Sequence, residues 1–149
     1  MVKPGVRPLN TAENRKTKYE LISSAHIRIA YAISKGFHIE AIAITESVLA
    51  DRLESAIHAT NPELRIKSTL GSLIKTSLKL GFISEDFAHE LYLWHDARSK
   101  LIHEMVKLSN DAESTWNERM KFARQTAKEG VLLTKKMDKF VREVKKKNS

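Results

Sequence analysis

Apolar residues recur at steps of three and four along most of the chain, and no useful length of it alternates apolar with polar, so the pattern predicts helices and no strands. The clearest stretch runs over 84–108, where alternating steps of four and three pick out Phe87, Leu91, Trp94, Arg98, Leu101, Met105 and Leu108. Six of these seven positions are apolar, the signature of a helix packed along one seam. Ser84 is a good N-cap for it, with Glu85 and Asp86 in the first turn where negative charge suits the helix dipole. Four further helices are predicted. The first covers about 11–34, opened by Asn10 with Glu13, carrying Tyr19, Ile22, His26, Ile29 and Ile33 on one stripe, and closed by Gly36. The second, about 37–59, is the most apolar, with Ile39, Ile42, Ile44, Val48, Leu49, Leu53 and Ile57, and ends before Asn61–Pro62. A short helix over about 66–80 follows (Leu70, Leu73, Ile74, Leu78), closed by Gly81. The last, about 112–145, is capped by Asn110 and Asp111 and repeats Trp116, Met120, Ala123, Ala127, Gly130, Thr134, Met137, Val141 and Val144 in heptads. The expected fold is all-α, an antiparallel bundle of about five helices. It forms one domain over 11–149, behind a flexible basic arm over 1–10 that holds Pro4, Gly5 and Pro8.

Composition narrows the chemistry. The chain has 149 residues, enough for one real core, and no cysteine, which removes disulfides, thiolate metal sites and a cysteine nucleophile. No run of apolar residues is long enough to span a bilayer, and the N-terminal stretch lacks the apolar segment of a secretory signal, so the expected location is the cytoplasm. The net charge of +8 is unevenly spread: five basic and two acidic residues in 1–20, ten and eleven in 21–111, eleven and five in 112–149. Basic ends on a neutral middle suit the guiding of a polyanion, although a helical protein with lysine-rich ends and no such partner has the same composition.

The candidate site is the break in the seam. An always-charged guanidinium is expensive to bury unless paired, so Arg98 asks for a partner. Glu46, inside the apolar second helix, reads either as a solvated face residue or as that partner, and Asp51 reads as a solvated face residue. His103 follows five residues after Arg98, and histidine is the side-chain type whose unperturbed pKa lies closest to neutrality. On an ideal helix the two lie about 140° apart around the axis and about 7.5 Å along it, so a straight helix does not aim them at one point. They would meet through the arginine's length, a kink, or a symmetric dimer. Tyr92, Asp96 and Ser99 fall on the His103 side, and Asp96 and Ser99 are placed to orient the imidazole or touch a ligand. His26, on the first helix's stripe, reads as a core histidine. The six histidines are scattered, and His89 and His95, the nearest pair, fall on different faces, so no metal or other cofactor is expected.

The segment from Ala97 to Glu104, ARSKLIHE, resembles the signature of the HEPN superfamily, small α-helical domains found widely in prokaryotic toxins and defence proteins. The motif's arginine and histidine fall on Arg98 and His103, while Ser99 stands where an asparagine or other strongly polar residue is commoner. AIAITESVLADRL is similar to the family's second helix, with Glu46 at its acidic position. The resemblance covers about 37–108. It implies a metal-independent endoribonuclease whose site forms at a homodimer interface, with RNA as substrate and an antitoxin or regulatory protein as a further partner. His103 would be general base or acid and Arg98 the phosphate clamp, supported by Glu46, Asp96 and Ser99. LGSLIKTSLKLGFISEDF together with ARSKLIH is also similar to the mannitol-repressor family, whose related fold implies a non-catalytic helical regulator. The nuclease reading would not survive Arg98 sealed inside its own subunit against an acid with His103 far off in water.

Overall fold

The computed structural model describes residues 10–108 and 115–147. Among them are five helices and no strand: α1 (Ala12–Ser34), α2 (His38–Thr60), α3 (Leu70–Lys79), α4 (Glu85–Glu104) and α5 (Trp116–Lys147). The expected all-α bundle is the fold. The expected basic arm lies outside the described residues except for Asn10.

Local chemistry sets the boundaries. Ser84 caps α4 as expected, its Oγ accepting from the Phe87 amide at 3.1 Å. At α1 the cap is Thr11, not Asn10: Thr11 Oγ1 accepts from Asn14, while the Asn10 carbonyl and side chain take the guanidinium of Arg15. The third helix starts at Leu70, later than expected, because Thr69 is its cap. The fifth starts at Trp116 behind a capping box, with Thr115 Oγ1 accepting from the Glu118 amide at 3.2 Å and Glu118 Oε2 accepting from the Thr115 amide at 3.4 Å. The expected caps Asn110 and Asp111 lie outside the described residues. Gly36 (φ 82°) and Gly81 (φ 76°) close α1 and α3 in left-handed turns, each with the two crossed bonds of a Schellman motif. The fourth helix stops at Glu104, short of the expected 108, and Leu108 is fully exposed. Its last carbonyls turn instead to the Arg119 side chain, which donates to the oxygens of Glu104 (2.8 Å), Met105 (2.6 Å) and Lys107 (2.8 Å).

The long helices pair antiparallel where they are neighbours in the chain. Lys18–Asp51 and Arg28–Glu40 ion pairs tie α1 to α2 in opposite directions. Phe87 meets Phe140 edge to face, Glu90 meets Lys136, and Glu104 meets Arg119, which orders α4 against α5. With the short α3 set aside, the four long helices α1, α2, α4 and α5 run up–down–up–down, so α2 and α5 point the same way, as Arg52–Asp138 and Thr45 at Gly130 show. These two make the most extensive contact in the bundle. The short α3 packs against both α2 and α4.

Candidate functional site

Three helices converge where α5 carries glycine. A Cβ on Gly130 would stand 2.8 Å from Thr45 Cγ2 and 3.0 Å from Trp94 Cζ2 and Nε1, so α2, α4 and α5 can close together only because that atom is missing. Trp94 is buried, and its indole donates to the Thr126 carbonyl at 2.8 Å, fixing the rotation of α4 on α5. Glu46 follows Thr45 directly and Arg98 lies one turn beyond Trp94, so this junction delivers the two charges to each other.

Arg98 Nε and Glu46 Oε2 are 2.5 Å apart. The contact is an ion pair without hydrogen-bond alignment, since Nε is buried and makes no well-directed bond. The arginine side chain remains 25% exposed and the glutamate 21%. The terminal nitrogens of Arg98 donate to no described residue. The pair is therefore held on one side and open on the other. Glu46 is the partner of the seam arginine and not a solvated face residue. Asp51 departs from expectation in the same way: it is mostly buried and paired with Lys18 at 2.5 Å.

His103 is exposed in the last turn of α4. The helix carries no kink-forming residue between Arg98 and His103, so within one subunit the structure does not bring them together. Asp96 is exposed on the same flank. Ser99 is half-buried, and its Oγ lies 3.5 Å from His95 Nδ1, one turn back, rather than at His103. Of the five candidate residues the fold thus joins Arg98 to Glu46, leaves His103 and Asp96 in solvent, and gives Ser99 to His95. Among the described residues no three His, Asp or Glu side chains gather as metal ligands would.

His26 is not a core histidine. Its side chain is 37% exposed, with Nε2 3.6 Å from Asp138 Oδ2, and Asp138 also faces Arg52 at 3.3 Å. It lines a shallow groove of about 340 Å³ between α1 and α5, with Ile29, Ile33, Lys128 and Val131. His38, in the first turn of α2, has its proton affinity lowered first by burial and then by the charges of Arg124 and Lys128. Periodicity alone passed over Arg119 and the Trp94–Thr126 bond. The one available signal was Gly130, a helix-weakening residue at a seam position. No helix is long and apolar enough to cross a membrane among the described residues. No family model, curated protein or solved structure matches the chain.

Proposed function

We propose that the chain is a HEPN-type, metal-independent endoribonuclease that works as a homodimer. The observation that carries this is the state of Arg98, a guanidinium anchored through Nε to Glu46 with its terminal nitrogens uncommitted. A planar fork so held presents donors to a phosphate at fixed orientation, and its charge stabilises the negative charge that develops on the phosphoryl oxygens. The substrate's 2′-hydroxyl attacks the adjacent phosphorus, the bond to the 5′-oxygen breaks, and the products are a cyclic phosphate and a 5′-hydroxyl. The imidazole of His103 of one copy accepts or supplies the proton beside Arg98 of the other. A two-fold contact between the C-terminal halves of two α4 helices removes the 140° separation, because each site then takes its arginine and its histidine from different subunits.

The test is RNA cleavage in EDTA by the wild type, Arg98→Ala, His103→Ala and an equimolar mixture of the two variants. Each variant alone is expected to be inactive and still helical. In the mixture half the dimers are heterodimers with one intact site of two, so activity returns to about a quarter of the wild type. Cleavage unchanged in the single variants would sink the proposal.

A second reading, a non-catalytic regulator of the mannitol-repressor or inactive HEPN kind, is favoured by the same ion pair seen from its other side. Arg98 already has a counter-charge inside its own subunit, and His103 points elsewhere. Wild-type protein that forms dimers and binds RNA without cutting it selects this reading.

A further inference from the structure

Ion pairing in this molecule is uneven. Lys18, Arg28, Arg52, Arg98 and Lys136 each face a carboxylate. On α5, by contrast, Lys121, Arg124, Lys128, Lys135 and Lys139 are exposed and form no hydrogen bond or ion pair with a described residue. Arg142 continues the row, its Nε donating only to the Asp138 carbonyl of its own helix. On an ideal helix these six side chains fall within an arc of about 60°, and the row from 121 to 142 is about 31 Å long. No acidic residue of α5 falls on that arc: Asp138 is turned inward to Arg52, and Glu129 lies on another face beside Gln125. Like charges held in a line without counter-charges cost stability, which makes an external polyanion the natural complement.

Two further features join the row. His38, whose Nδ1 is buried without a partner, faces Arg124 and Lys128 closely enough for their charges to act on it. Phe37, the residue before it in sequence, is 51% exposed at the start of α2 and offers a flat apolar face next to the histidine that meets the cations. The apolar side of α5 is consumed by the core, through Ala123, Ala127, Gly130, Met137 and Val141. The large apolar residues that α5 leaves exposed, Trp116, Phe122 and Leu132, point in different directions on an ideal helix and form no continuous face to lie in a bilayer in the manner of an interfacial helix.

We infer that the cationic row of α5, with Phe37 at its side, is a track for the sugar–phosphate backbone of single-stranded RNA, separate from the Arg98 site. The choice of RNA over other polyanions rests on the function proposed above. The row supplies sequence-blind phosphate contacts, and the aromatic face supplies stacking for a base.

The experiment measures binding of fluorescent oligouridine to the full chain by anisotropy over a salt series, in an Arg98→Ala background so that the strand stays intact. The variant Arg124→Glu/Lys128→Glu/Lys135→Glu changes only exposed, unpaired side chains. It is expected to lose more than about tenfold in affinity and to flatten the salt slope by about two. The control Lys67→Glu/Lys75→Glu/Lys79→Glu makes the same change in net charge off the row and is expected to shift affinity less than about threefold. Phe37→Ala is expected to weaken binding about fivefold with the salt slope unchanged. Equal losses in the two triple variants would reduce the row to bulk charge and overturn the inference. Row-dependent sedimentation with phosphatidylserine-containing vesicles, without row-dependent RNA binding, would overturn it in favour of a lipid surface. RNA binding that needs the row in a protein that never cleaves leaves this inference standing and removes the nuclease. Cleavage by the wild type with affinity indifferent to the row does the reverse.

Discussion

Arg98 of α4 and Glu46 of α2 meet at 2.5 Å across a junction that exists because residue 130 has no side chain. Each charge is about three-quarters buried, yet neither is sealed, and the guanidinium keeps its outer edge toward solvent. Such a pair contributes little to stability compared with what it does to orientation. Glu46→Gln, which keeps the shape and removes the charge, is expected to cost about 1 kcal/mol or less in urea unfolding. Under the proposed ribonuclease function, the same variant is expected to lower RNA cleavage by about tenfold, because an arginine released from its anchor is no longer held in one orientation. A stability loss of several kcal/mol with cleavage unaltered would show the pair to be a structural strut.

Gly130→Ala puts a methyl group 2.8 Å from Thr45 Cγ2 and 3.0 Å from a buried indole. Alanine's helix propensity gains at most about 1 kcal/mol. Overpacking against a side chain that cannot swing away costs about 1–3 kcal/mol, so the net effect is destabilising. Adding Thr45→Ser, which removes the nearest methyl, is expected to recover part of the loss. Thermal denaturation of the two variants checks the order.

Arg119 holds the end of α4 through three carbonyls. Arg119→Met keeps the stem and removes the donors. It is expected to cost about 1–2 kcal/mol and to speed amide hydrogen exchange in residues 101–105 while leaving the exchange of α2 unchanged. Because His103 rides on that turn, the proposed ribonuclease activity is expected to fall as well. Uniform exchange across the chain would contradict a local role.

His38 gives stability a pH dependence of known sign. Burial, then Arg124 and Lys128, lower its pKa in the fold below the ordinary 6.5. Below about 6.5 the unfolded chain takes up this proton before the folded chain does, so acid favours unfolding. The contribution is intact above about 6.5 and is lost as pH falls through the folded value. The urea midpoint of the wild type is therefore expected to drop more between pH 7.5 and 5.5 than that of His38→Gln. Equal drops would remove His38 from the account.

What the sequence determined by itself is whatever a few turns of helix can decide. Spacing at three and four marked all five helices, because an amphipathic helix writes its buried face into local order. Ser84, Gly36 and Gly81 marked their ends, because a hydroxyl cap or a left-handed turn is a property of one or two residues. Even the need of Arg98 for a partner was legible, since a charge in an apolar row is costly wherever the row is packed. What only the tertiary structure decided is which helices share a face and in what register. The close approach of α2 to α5 rests on the missing side chain at Gly130, and it turns Glu46 inward to Arg98. The groove beside α1 takes His26 out of the core, and a guanidinium from α5 ends α4 at Glu104. These are meetings of residues from 15 to more than 100 positions apart, and their energies depend on distances that no local pattern encodes.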